Sequence, residues 1–482
     1  MDLSAITATE AVRRLSAGDI SSTELLDAQI AVVEARNDEL NAVVTAEVDA
    51  ARIAAAMADK RRARGEDLGP LGGLPVTLKD SYETVGLTTA CGSPEYADYV
   101  PETDSDAAQA IRTSGGIIFG KTNTPLMTGD HQTYNEVYGL TRNPWNPERT
   151  AGGSSGGAAV AVATGMSLLE FGSDIGGSLR QPAHMNGVFG FKPTHGVLSL
   201  RGHIPGPPGT LAPRDLGVGG PLGRSIDDLE LMFRATLTVG AFSGIPGAKL
   251  PASDGPLSVA DLRLAMWSDD PMATVSAACK QAVERIGAEL DTAGAGVHAD
   301  LRPSMPTDKL HITYLGLLWA VTAAGFPDPV YNGLAKAARE AAFDDMSAVV
   351  PRLMTSSHKT WLKNNEIRHK AMASWERLFE TVDAVIMPVA PTPAFPHDIE
   401  SQYPTRLVDV DGTDRPYVDT LFWAGLATMP GLPSVVVPTG AVDGLPVGLQ
   451  IIGPRYSDFR LLDIARTISN VTSARFVAPG SD

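Results

Sequence analysis

The chain opens with two stretches of helical periodicity. Thr7 and Glu10 have capping-box spacing, apolar positions recur once per turn behind them, and Gly18 stands where a helix stops. Ser21 and Glu24 repeat the signature ahead of an amphipathic run reaching Asn37. From Leu71 the texture changes to short apolar runs between glycines: residues 74–78, 115–120, 157–165 and 188–194. These alternate with helical stretches such as 105–115, which predicts an α/β fold with a sheet covered on both faces.

Further along, residues 201–222 are rich in Gly and Pro and read as a long ordered loop. Residues 262–267 and a helix near 275–295 predict another strand–helix unit. Residues 305–380 are mostly helical and read as a cap or insertion. Sheet-like runs return at 384–390, 433–440 and 445–453. Strands of one texture on both sides of the helical stretch predict a single domain over 1–482, interrupted by an insertion.

Composition narrows the function classes. Charged residues total 39 basic and 56 acidic, a net of 39 − 56 = −17, so phosphate backbones and anionic membranes are poor partners. Cys91 and Cys279 are far apart and match no metal-ligand spacing, which fits a reducing compartment. Neither a secretory signal nor an apolar run of about 18 residues is present, so the chain is expected to be soluble and cytoplasmic.

Two motif matches fail on context. Gly115 to Thr122 fits the phosphate-loop formula letter for letter, but a helix precedes it and Ile117, Ile118 and Phe119 read as a buried strand. Gly153 to Gly157 fits a nucleophile elbow centred on Ser155, yet no apolar strand leads into it and no downstream His stands in triad spacing.

Three segments remain: 72–80 with Lys79, 152–157 with Ser154 and Ser155, and 172–182 with Asp174, Ser178 and Arg180. Alone, each passes for a surface lysine or a turn. Together they place a charged group at the end of an apolar strand and two glycine–serine knots 24 positions apart, with a small-residue helix between them. A serine attacks an amide only when a base takes its proton. Lysine serves only when neutral, which burial against Leu74, Val76 and Leu78 would favour. Gly176 and Gly177, just before Ser178, let consecutive N–H groups converge on one point.

At these residues the chain resembles the amidase-signature family. Weaker matches lie at Asn143–Trp145, Gly190–Thr194 and the C-terminal 433–448. The resemblance implies one α/β/α domain with a mixed central sheet and a signature core over about 70–200. It implies Ser178 as nucleophile, Ser154 in a cis peptide as proton bridge, and Lys79 as base. Backbone N–H groups of Ile175, Gly176, Gly177 and Ser178 would form the oxyanion hole, with Ser155, Asp174 and Arg180 in support and neither metal nor cofactor. The alternative role for Arg180 is a clamp on a substrate carboxylate.

The implied activity is hydrolysis of carboxamides, carbamates and some esters, by a monomer or homodimer that takes a small-molecule substrate. The rivals are a membrane-bound lipid amidase and a glutamine-hydrolysing amidotransferase subunit. Specificity is expected in residues 125–140, where His131 replaces an expected aromatic, and in the cap. Leu315, Leu317, Leu318, Trp319, Phe422 and Trp423 read first as core and, if part of them faces the site, as an apolar mouth, and no second basic cluster near the triad advertises a charged substrate. Neutral aryl amides and carbamates are therefore the expected substrates.

Overall fold

The computed structural model describes residues 2–237, 249–253, 255, 257–342, 348–401 and 403–480. Both N-terminal helices form as the caps dictate. Thr7 Oγ1 accepts the Glu10 N–H at 3.2 Å, and the helix Ala8–Ala17 ends on Gly18 at φ 75°. Ser21 and Glu24 close a complete capping box on Ser22–Leu40.

The described residues form one eleven-stranded mixed sheet. Its order runs Val43–Ala46, Ile117–Thr122, Pro75–Lys79, Glu170–Asp174, Val218–Gly223, Phe189–Lys192, Ser434–Val442, Leu445–Ile452, Ala384–Pro388, Arg263–Met266, Gly296–His298. Successive side chains of a strand face opposite ways, and every residue of the five strands from Ile117–Thr122 to Phe189–Lys192 is buried. The sheet is thus covered on both faces there, which is why these strands read as short apolar runs.

One local expectation is corrected and one is met. Residues 157–165 belong to the helix Gly156–Thr164, the small-residue helix expected between the two glycine–serine knots, whose alanines pack closely. The Gly/Pro-rich stretch 201–222 is not all loop, because Val218–Gly223 pairs with Glu170–Asp174 on one side and Phe189–Lys192 on the other. Glu170–Asp174 itself, with Gly, Ser and Asp in it, carries almost no strand propensity and is held by its neighbours.

One pairing positions the site. Pro75–Lys79 runs parallel to Glu170–Asp174, with Thr77 opposite Glu170 and Leu78 opposite Phe171. Lys79 and Asp174 therefore both end their strands at the same edge, where ligands of such sheets bind.

The expected cap contains the helices Thr307–Ala323, Asp328–Glu340, Val349–Met354 and His358–Phe379, while residues 343–347 lie outside the described ones. Leu317, Leu318, Trp319, Phe422 and Trp423 join one buried cluster. They are core, the first of the two readings, and not an apolar mouth. Among the described residues, no helix is long and apolar enough to cross a membrane.

Candidate active site

Lys79 ends its strand fully buried, with Nζ 2.7 Å from Ser154 Oγ, 3.0 Å from Ser155 Oγ and 3.0 Å from Ser173 Oγ. Burial drives its ammonium down from 10.5 to about 7, against the partial hold of nearby carboxylates including Asp174 and Glu170. Ser155 stands at the N-cap of the helix Gly156–Thr164, and Ser154 precedes it through a cis peptide with Gly153. A side chain at Gly153 would stand 2.5 Å from the Asp130 carbonyl, so no larger residue fits. The Ser155 N–H donates to the Ser178 carbonyl at 3.2 Å and ties the two knots together.

The turn between Asp174 and Arg180 is built by its carbonyl partners. Tyr314 Oη donates to Ile175 O at 2.9 Å, His131 Nε2 to Gly176 O at 3.0 Å, and the Gln181 N–H to Gly177 O at 2.7 Å. With Ser155 on the Ser178 carbonyl, all four carbonyls are held and their peptides cannot rotate freely. Gly177 sits at φ +103°, which side chains disfavour, and a Cβ there would meet Ala424 Cβ at 2.9 Å.

The expectation of four convergent N–H groups needs one correction. The Gly177 N–H turns inward onto Asp174 Oδ1 at 3.0 Å. Those of Ile175, Gly176 and Ser178 have no protein acceptor among the described residues. His131 is the residue that holds this turn through Gly176, and its second nitrogen meets Thr420 Oγ1 at 2.8 Å.

Arg180 is fully buried, and all five of its N–H donors are engaged. Nε and Nη2 meet Asp174 at 3.0 and 2.8 Å, and the remainder go to Ala424 O, Gln450 Oε1 and Thr428 Oγ1. A role as carboxylate clamp for substrate is thereby excluded. Burial alone would raise the Asp174 carboxyl, but the Arg180 guanidinium and the donated N–H groups hold it at about 2.

Ser154, Ser173, Ile175 and Ser178 line one pocket of about 280 Å³, counting its open mouth. No hydrogen bond joins Ser154 to Ser178 among the described residues.

Two lining residues were not legible in the sequence: His203 and Arg214, both from the stretch read as a loop. His203 Nε2 lies 2.9 Å from Ser173 Oγ and 3.0 Å from Ser81 Oγ. Burial holds its imidazole well below the usual value, hence neutral. His203 is thus a histidine beside the serine segments that spacing in the sequence did not reveal.

The family described as Amidase matches residues 24–462. The chain belongs to the amidase family. It is a hydrolase of C–N acyl bonds, the class that the three segments implied. An indoleacetamide hydrolase from Bradyrhizobium diazoefficiens (strain JCM 10833 / BCRC 13528 / IAM 13628 / NBRC 14792 / USDA 110) is 32% identical over 484 residues, covering 96% of this chain and 86% of the relative. A glutamyl-tRNA(Gln) amidotransferase subunit from Roseiflexus sp. (strain RS-1) is 31% identical over 489 residues, covering 97% and 96%. The crystal structure of an amidase superposes with a TM-score of 0.79 at 27% identity, covering 96% of this chain and 99% of that one.

Within this amidase-family chain the phosphate-loop look-alike is a strand. Lys121 is buried, and its ammonium donates to the Tyr82 carbonyl and to the Thr84 and Thr89 hydroxyls. Beneath Lys79, Glu170 is pushed up by burial to about 7 while accepting from Thr122 Oγ1 at 2.6 Å.

Proposed function

We propose that the chain hydrolyses small carboxamides by acyl transfer through Ser178, with Lys79 as base and Ser154 as the proton bridge. The observation that carries this reading is the set of three hydroxyls around one buried amine. Counting hydrogens assigns their directions. Ser155 Oγ donates to the Ser173 carbonyl at 3.3 Å, so it accepts from Lys79. With neutral His203 in the tautomer that carries its hydrogen on Nδ1, Ser173 Oγ donates to Nε2 and so also accepts from Lys79. Both N–H bonds of the neutral amine are then used, and its lone pair faces the Ser154 proton.

In the reaction Lys79 takes that proton and Ser154 takes one from Ser178, whose Oγ attacks the carbonyl carbon. The oxyanion rests on the free N–H groups of Ile175, Gly176 and Ser178. Collapse breaks the C–N bond as the proton returns along the relay to the leaving nitrogen. Water then enters by the reverse path and frees the carboxylic acid. Substrate closing over the turn would tighten the Ser154–Ser178 link, since such contacts are commonly loose without ligand.

Primary amides like the indoleacetamide named for the Bradyrhizobium relative, aryl amides, carbamates and esters all present the carbonyl this site attacks. The neutral character expected of them loses both its supports, because the aromatic mouth is core and Arg214 brings a basic group into the pocket. Similarity to amidotransferase subunits favours a second reading, release of ammonia from glutamine inside a complex. The test is ammonia or amine release by the isolated chain across primary amides, anilides, carbamates and esters. Turnover that disappears in Ser178→Ala supports the first reading. Inertness toward every amide but glutamine supports the second.

A further inference from the structure

Arg214, half-buried, reaches the pocket from the same segment as His203, and it differs from the buried arginines Arg180, Arg224 and Arg406. Arg180 fills its fork with Asp174 and three further acceptors. Arg224 donates to the carbonyls of Val162, Ser4 and Ile6. Arg406 binds Asp130, Tyr134 Oη and the Ser401 carbonyl. Among the described residues nothing accepts from the Arg214 side chain, although it is only partly exposed and burial lowers its pKa.

The acids that could neutralise it are committed elsewhere. Its neighbour Asp215 pairs through Oδ1 with Arg368 at 2.6 Å, the Asp215 Oδ2 accepts nothing from Arg214, and Asp174 is spent on Arg180 and on the Gly177 and Leu179 N–H groups. The remaining polar groups in the pocket are hydroxyls and a neutral imidazole. A cation partly withdrawn from water without a partner is less well solvated than a surface one, and a planar guanidinium matches a carboxylate with two parallel hydrogen bonds.

We infer that Arg214 is a substrate-recognition residue, and that the amide cleaved at Ser178 carries a carboxylate which its guanidinium binds. This rests on the hydrolytic reading above and narrows it from amides in general to small anionic amides. The carboxylate has two possible places, the acyl side or the amine side of the scissile bond. In either place the anion fills the pocket's open fork and holds the carbonyl beside Ser178.

The experiment compares each anionic amide with its neutral isostere. Succinamate against butyramide and glutaramate against valeramide probe the acyl side; N-acetyl-β-alanine against N-propylacetamide probes the amine side. The wild type is expected to favour the anion in one series by about tenfold or more in kcat/KM, expressed mainly in KM. Arg214→Met should bring that ratio to about threefold or less, and Arg214→Lys, which keeps charge but not the fork, should fall between. Thermal unfolding of Arg214→Met should match or exceed the wild type, because an uncompensated cation has been removed.

A ratio of one or less in both series, or a preference untouched by Arg214→Met, overturns the inference. Binding supplies a readout that does not depend on turnover. Glutarate and succinate should bind Ser178→Ala about tenfold more tightly than Ser178→Ala/Arg214→Met, and equal binding also overturns it. A binding difference without hydrolysis of any amide would instead count against Ser178 chemistry and leave Arg214 as the anion site.

Discussion

Asp174 and Arg180 form a two-pronged ion pair wholly out of water, at 3.0 and 2.8 Å, directly beneath the turn that carries Ser178. Removing one partner leaves the other as an unpaired buried charge. Arg180→Met is expected to cost about 3–5 kcal/mol in urea unfolding. It should also lower turnover, because Asp174 anchors the Gly177 and Leu179 N–H groups. The double variant Asp174→Asn/Arg180→Met should recover part of the stability, and strict additivity would show that the pair is not coupled.

Ser178 and Ser155 are separable by chemistry. A fluorophosphonate should label Ser178, whose hydroxyl lines the pocket, and mass spectrometry should place the adduct there. Ser155 is expected to stay unlabelled, because its oxygen is taken up by Lys79 and the Ser173 carbonyl. Ser178→Ala should lose several orders of magnitude in turnover, and Ser154→Ala less if water bridges the gap.

The buried amine sets the pH response. With Lys79 at about 7 in the folded state and 10.5 as its ordinary value, activity should rise with pH through about 7 and then level off. Between these values the unfolded chain binds the extra proton, so stability from this group rises with pH, by about 1.4 kcal/mol per unit. Below about 7 both states are protonated and the cost is constant. Lys79→Met should abolish turnover and flatten this part of the stability profile between pH 7 and 10.

His203 is expected to act through direction, not proton transfer. His203→Phe frees the Ser173 hydrogen to turn toward Lys79 and compete with Ser154 for the lone pair. The expected loss is about tenfold in kcat with KM little changed, the equivalent of one hydrogen bond of about 1.4 kcal/mol. His203→Gln, which offers an acceptor oxygen, should restore most of it. If both variants fall equally, the directional role is wrong.

Much of the architecture is readable because it is written in local strings. Capping boxes, apolar runs and the glycine–serine knots are contiguous, and the family resemblance points to Lys79, Ser154, Ser155 and Ser178 from the sequence alone. What stays hidden there depends on folding across long separations. Ser81 and His203 meet over 122 positions, and Arg180 reaches Gln450 over 270. Arg214 gives no signal in sequence because its significance is a missing partner. The strands Glu170–Asp174 and Val218–Gly223 escape notice because glycines there yield to close neighbours, side chains at Gly172, Gly219 and Gly223 and the Phe191 carbonyl at Gly220, a tertiary demand that propensity does not register.

The helices between Gly296–His298 and Ala384–Pro388 leave the sheet and rejoin it on either side of one strand, Arg263–Met266. Departure and return are therefore about two strand spacings apart laterally, roughly 10 Å. A segment anchored so narrowly is exchangeable: another helical stretch of different length fits the same two attachment points without rethreading the sheet. The obligations on a replacement are to refill the core that Leu317, Leu318 and Trp319 share with Phe422 and Trp423, and to supply the Tyr314 hydroxyl to the Ile175 carbonyl, or an equivalent donor, so that the turn beneath the nucleophile keeps its shape. Chimeras joined at these two strands would let roof and chemistry be varied independently.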